Sequence, residues 1–206
     1  MGGFLSCNDH AKVYLRDNAF APRFHGEPDQ GGRYIGIDPA VQNHHQRFVM
    51  VDGTLSMGDG LTLFGDVEDL TGATVASASL KEQLPDGSTC ADRFTHEHNL
   101  LIQEGEKTIL IAGCAHCGIV NILNKAEAMV GRPVDVMVGG FHLFQLTDSS
   151  ADAIIDDLGK DLKARPTQYY TGHCTGDYAY ERLAEQLGSQ LHRIRGGFRQ
   201  HCKTPQ

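Results

Sequence analysis

Two short segments, Gly113-Cys114-Ala115-His116-Cys117-Gly118 and Thr171-Gly172-His173-Cys174-Thr175-Gly176, set imidazoles and thiols side by side between glycines. Each follows an apolar run and precedes an amphipathic one, a pattern that predicts strand, tight turn and helix. A third turn of the same kind, Gly139-Gly140-Phe141-His142, lies between them. In an α/β sheet the carboxyl ends of the strands form the crevice where ligands bind, so three such turns can face one cavity. Imidazoles gathered there point to a metal, because neutral imidazole is the commonest side-chain ligand of zinc-like ions. A catalytic zinc needs about three protein ligands and one open position, and water bound in that position acidifies to a pKa near 7.

Other residues join this set with less specific signals. His142 follows a diglycine that permits a sharp backbone turn, which places it to contact substrate or metal. His96-Glu97-His98 precedes an apolar run, and strand alternation sends His96 and His98 to one side and Glu97 to the other. His96 is then a ligand or substrate contact, and Glu97 a carboxylate that orients a ligand. The cysteines support a rival reading: Cys114, His116 and Cys117 within four residues, with His173-Cys174, would suit a closed structural zinc or a redox thiol. Cys117 stands where a helix opens, and the positive end of a helix dipole lowers a thiol pKa; an inward small hydrophobe would occupy the same place.

The elements that must hold these turns become regular only in the second half of the chain. Asn99 to Gln103 and Thr108 to Ala112 read as a hairpin around Glu104-Gly105-Glu106-Lys107. Ile119, Ile122, Leu123, Ala126 and Val130 recur at helical spacing, and Gly131 with Pro133 stops that helix. Val134 to Val138 is a buried strand, Thr147 to Lys163 a helix, Thr167 to Tyr170 a strand, Asp177 to Leu187 a helix and Leu191 to Ile194 a last strand. In the first half, short strands are expected at Ala11 to Leu15, Arg47 to Val51 and Leu61 to Phe64. Residues 17–43, rich in proline and glycine, read as a loop or lid. Asp69 to Gly87 reads as a surface excursion ending in a Pro85-Asp86-Gly87 turn. One domain over residues 1–206, with a helical layer against one sheet, is the architecture these elements predict.

Composition sets outer bounds. At 206 residues and 40% hydrophobic the chain is long enough to bury a core, and no stretch approaches the roughly 20 apolar residues of a membrane span. The net charge of −8 argues against a nucleic-acid partner held by phosphate neutralisation. A small-molecule substrate, with neither nucleic acid nor membrane as partner, fits better. Six scattered cysteines and no secretory leader pattern predict a reducing cytoplasm.

The ordered motifs Phe94-Thr95-His96-Glu97-His98-Asn99, Gly113-Cys114-Ala115-His116-Cys117-Gly118-Ile119-Val120-Asn121, Gly139-Gly140-Phe141-His142-Leu143 and Gly172-His173-Cys174-Thr175-Gly176 together resemble the metallo-β-lactamase-fold hydrolases. Within them the chain resembles the dihydropterin ribofuranosyl-aminobenzene-phosphate synthase-like subgroup. Lys12-Val13-Tyr14-Leu15 and Arg33-Tyr34-Ile35-Gly36-Ile37 resemble segments that follow the first metal motif there. The resemblance implies an αββα sandwich and a metal-dependent hydrolase that turns activated water on an ester or phosphoester. It also implies zinc, manganese or iron as the ion, held here by His116 and His173, with Cys114 near the place where many relatives put a bridging aspartate. The family's His-x-His-x-Asp-His motif is absent from the sequence. The chain is therefore expected to represent the carboxyl-terminal portion of the fold, with an incomplete amino-terminal sheet and impaired activity. The matching alternative is a non-catalytic or split-gene fragment that associates with a complementing segment or with a second copy of itself.

Overall fold

In the computed structural model, which describes residues 1–68, 77, 79–197 and 199 and only the backbone of His173, a seven-stranded mixed sheet carries the layout. Its strands are β5 (Leu55–Gly58), β6 (Leu61–Phe64), β9 (Asn99–Glu104), β10 (Lys107–Ile111), β11 (Val136–Gly139), β12 (Gln168–Thr171) and β13 (Leu191–Arg193). Their order across the sheet is β13-β12-β11-β10-β9-β6-β5. The first four in that order run parallel and the remainder antiparallel. A two-residue turn joins β9 to β10 and fixes the hairpin register, with Ile109 opposite Ile102.

The parallel half needs crossovers, and helices supply them. Helix α2 (Ile119–Val130) buries Ile119, Ile122, Leu123 and Ala126, and Gly131 closes it in the left-handed conformation at φ 72°. Helix α3 (Asp152–Lys163) follows a turn in which the Asp148 carboxylate accepts from the Ser150 N–H, and it buries Ile155 and Leu162. Helix α4 (Asp177–Leu187) buries Ala179, Leu183 and Leu187. Together with Leu110, Met137, Phe141 and Tyr169 from the sheet side, these residues form one continuous apolar core that reaches Phe64, Leu80 and Phe94. Among the described residues no helix is long and apolar enough to cross a membrane.

The first half builds two smaller sheets. A parallel pair joins β1 (Val13–Arg16) to β4 (Phe48–Val51) behind a short helix α1 (Gly2–Cys7), and an antiparallel sheet of four has the order β3-β2-β7-β8. The latter consists of β2 (Arg23–His25), β3 (Arg33–Tyr34), β7 (Leu80–Gln83) and β8 (Thr89–Ala91). Strand β7 corrects the reading of Asp69 to Gly87 as a surface excursion, since Leu80 and Glu82 are buried; residues 69–76 and 78 of that stretch lie outside the described residues. The Pro85-Asp86-Gly87 turn is present, with the Gly87 N–H donating to the Leu84 carbonyl at 2.9 Å. Residues 17–43 hold β2, β3 and 3-10 turns. Three arginines, each less than a tenth exposed, brace these irregular segments. Arg47 donates to the carbonyls of Leu5, Asn8 and Ala11, Arg16 to those of Gly53 and Thr95, and Arg23 to those of Asn18 and Ala21.

Candidate metal centre at the strand ends

Register decides which turns meet. Ile111 stands beside Val138, Val138 beside Tyr170 and Tyr170 beside His192, so β10 to β13 all end at the same rim. The turns beyond them are tied together by the Gly140 N–H donating to the Gly113 carbonyl at 2.8 Å. The N–H groups of Leu143 and Phe144 both donate to the Cys174 carbonyl at 2.9 Å. Glycine is required at position 140, because a Cβ there would stand 2.4 Å from the Cys174 Sγ. Three non-glycine residues at this rim take left-handed backbone: Phe94 (φ 56°), Ala115 (φ 60°) and His142 (φ 49°). Each costs on the order of 1–3 kcal/mol and persists only where the surroundings enforce it, and such residues cluster at functional sites.

His116 is held by Glu97. The Glu97 Oε1 lies 2.5 Å from the His116 Nδ1 and accepts from the His116 backbone N–H at 3.0 Å, while Oε2 accepts from the Cys117 N–H at 3.2 Å. The Phe94 ring stacks on the imidazole at 5.4 Å, and the His142 ring meets it edge-on at 4.3 Å. Burial opposes charge on His116, but hydrogen bonds to Cys114 and Glu97 outweigh it and raise its pKa to about 9. Burial acts against Glu97 as well, yet the hydrogen bond and charge of His116, with the two backbone N–H groups, hold that carboxyl at about 2.

His96 sits nearby in the opposite state. Burial, then the charges of Arg23 and His116, push it down to about 3, even though its Nδ1 lies 3.7 Å from the Asp92 carboxylate. The segment 95–98 is a turn and not a strand, so the alternation expected of His96, Glu97 and His98 does not govern it. Glu97 is the member of that triplet that touches His116.

Among the described residues, Cys114, His142 and Cys174 bring a sulfur, a ring nitrogen and a second sulfur within 4.8 Å of one another. His142 and Cys174 are buried and Cys114 is half-buried. A hydrogen bond with Cys114 lowers the Cys174 thiol pKa against the effect of burial. Cys117 points the other way into the core, where burial and then the Glu97 charge push its thiol up, overriding any effect of the helix end. His173 is carried by a 3-10 turn, His173–Thr175, at the same rim. Its side chain, and with it the expected pairing with His116, lies outside the described residues. Cys174, which the sequence places with the structural-zinc or redox reading, joins the rim because it follows β12, in register with β10 and β11.

No family model matches the chain. The chain is 24% identical over 196 residues to 7,8-dihydropterin-6-methyl-4-(β-D-ribofuranosyl)-aminobenzene-5′-phosphate synthase of Methanocaldococcus jannaschii, covering 92% of this chain and 66% of that one. An uncharacterised protein of the same organism is also 24% identical, over 180 residues, covering 85% of this chain and 63% of the relative. The chain thus spans just under two thirds of the length of the curated relatives it matches. The crystal structure of a metal-dependent hydrolase of the β-lactamase superfamily superposes with a TM-score of 0.76 at 25% identity, over 91% of this chain and 69% of that one. With its parallel strands ending at a histidine-bearing rim and its helices packed in one layer, the chain has the metallo-β-lactamase superfamily fold.

Proposed function

We propose that this chain carries the carboxyl-terminal portion of a metal-dependent hydrolase acting on an ester or phosphoester. The observation that carries the reading is the Glu97–His116 contact at 2.5 Å on the rim where β10, β11 and β12 end. A carboxylate bound to Nδ1 fixes the ring and turns Nε2 outward, as carboxylates do that hydrogen-bond the far nitrogen of a metal-bound histidine. His116 would hold the ion through Nε2, with Cys114 and His173 as the further ligands that the family resemblance implies. When bound, a zinc-like ion supplies Lewis acidity and water that ionises near neutral pH.

The chain's own residues do the rest. Glu97 keeps the His116 ring in one orientation, and the Phe94 ring shields one face of it from water. His142 meets the His116 ring edge-on at 4.3 Å and would contact a substrate held at the rim. The likeness to a metal-dependent hydrolase supports this assignment. Its test is hydrolysis of a generic phosphodiester and a generic ester by the purified chain with added zinc or manganese. Turnover that disappears in His116→Ala supports the reading, and turnover unchanged in that variant removes it.

A further inference from the structure

We propose that Cys114, His142 and Cys174 form a thiolate-rich site for one soft divalent ion of the zinc class. The inference rests on the metal-dependent reading above and sets His142 and Cys174 beside the Cys114 donor named there. Three different turns deliver the three donors, and the hydrogen bonds from Gly140 to Gly113 and from Leu143 and Phe144 to Cys174 lock those turns to one another. The donors are therefore preorganised by the sheet and not by a single flexible loop.

Geometry fits an ion. Zinc–sulfur bonds of about 2.3 Å and zinc–nitrogen bonds of about 2.0 Å set tetrahedral ligand atoms somewhat under 4 Å apart. The three atoms already lie within 4.8 Å of one another, so closing on an ion requires a contraction of no more than about 1 Å. The environment fits as well. The site is largely enclosed, and Gly140 lacks the side chain that would displace the Cys174 sulfur, the atom a Cβ there would strike at 2.4 Å. Two thiolates and an imidazole are soft donors, which favour zinc, iron or cobalt over magnesium or manganese. Three protein ligands are also the number a catalytic zinc uses, with the fourth position left for water or substrate.

Cobalt(II) titration of the full-length chain tests this, because cobalt bound to thiolate shows a near-ultraviolet charge-transfer band that nitrogen and oxygen ligands do not give. One cobalt per chain with that band is expected. Zinc should displace it and manganese should not. Cys114→Ser and Cys174→Ser should each weaken cobalt binding by more than the roughly 10–100-fold that loss of an outer partner costs, with a weaker band. His142→Ala should weaken binding and leave the band.

A measurement on the unmodified chain guards against misfolded variants: bound cobalt should protect Cys114 and Cys174, but not exposed Cys7, from alkylation mapped by mass spectrometry. Binding without the band, or alkylation of both thiols in the cobalt-loaded chain, overturns the site and leaves metal-dependent hydrolysis standing. The band with no hydrolysis of either substrate leaves the site and removes the hydrolase reading. No binding at all removes both.

Discussion

The two halves of this chain solve the same problem, holding short elements together, by different physical means. From β9 onward, strands and helices satisfy their own backbone groups, and Leu110, Ile122, Met137, Ile155, Tyr169 and Leu183 fill the interior between them with no measurable exposure. In the first half the strands are two to four residues long, and carbonyls in the turns between them receive guanidinium N–H groups from Arg16, Arg23 and Arg47. A regular layer can be closed by apolar area alone, whereas irregular backbone needs donors aimed at particular oxygens. The rim lies at the seam: the second half brings Cys114, His116 and His142, and Phe94 and Glu97 in the connecting segment brace them.

The largest expected effect tests whether the second half is one cooperative unit. Ile122→Ala removes a fully buried side chain between helix and sheet and should cost about 2–5 kcal/mol of global stability, read as a lower urea midpoint with an unchanged slope. Arg47→Ala should act differently. It removes the donors to the carbonyls of Leu5, Asn8 and Ala11, of which only the Leu5 bond is fully buried, at a cost of roughly 1–3 kcal/mol in all. That loss should appear as faster amide exchange in α1, β1 and β4, while β10 to β12 keep their protection. Global unfolding at the same midpoint shift as Ile122→Ala would break the contrast.

The seam itself predicts a pH dependence for the metal-free chain. His116, raised from 6.5 to about 9, contributes stability that is complete below 6.5 and lost as the pH rises through 9. His96, lowered from 6.5 to about 3, works in reverse: the unfolded chain takes up its proton first, so stability falls as the pH drops below 6.5. Glu97→Gln should flatten the alkaline limb, because the charged partner of His116 is gone, and should remove from the acid limb the share that Glu97, held at about 2, contributes below pH 4.5, leaving the share of His96. Urea denaturation at a series of pH values measures both limbs, and an unchanged alkaline slope in Glu97→Gln would show that this pair does not control it.

The same contrast explains what could be read from the sequence. Helix α4 was expected at Asp177 to Leu187 and occupies that span, and Gly131 ends α2 as its position suggested, because apolar period and caps are local signals. Strands β2, β3 and β7 carry no comparable period. Their pairing is set by distant partners, Phe24 with Lys81 and Tyr34 for example, and by arginines that reach across loops. The turns that carry Cys114, His116 and His142 were legible from glycine and histidine spacing. Which side chains converge was not, because Phe94, Ala115 and His142 adopt left-handed backbone that no glycine announces. The Phe94 conformation also turns the chain ahead of residues 95–98, which are not strand, so strand alternation does not hold there.

The smallest expected effect sharpens the difference between the thiols of one turn. Cys114 and Cys117 are three residues apart, yet Cys117 is 2% exposed and makes a weak contact of 3.9 Å from Sγ to the Phe94 carbonyl. Burial and the Glu97 charge keep it a neutral thiol, and a neutral buried thiol behaves as a small hydrophobe. Cys117→Ala should therefore cost on the order of 1 kcal/mol through the lost volume and leave cobalt binding and its charge-transfer band unchanged. Native alkylation should likewise spare Cys117 whether or not metal is present, since the thiolate that reacts is not populated there. Loss of the cobalt band in this variant would assign the turn's metal chemistry to the inward thiol and move the site from the rim into the core.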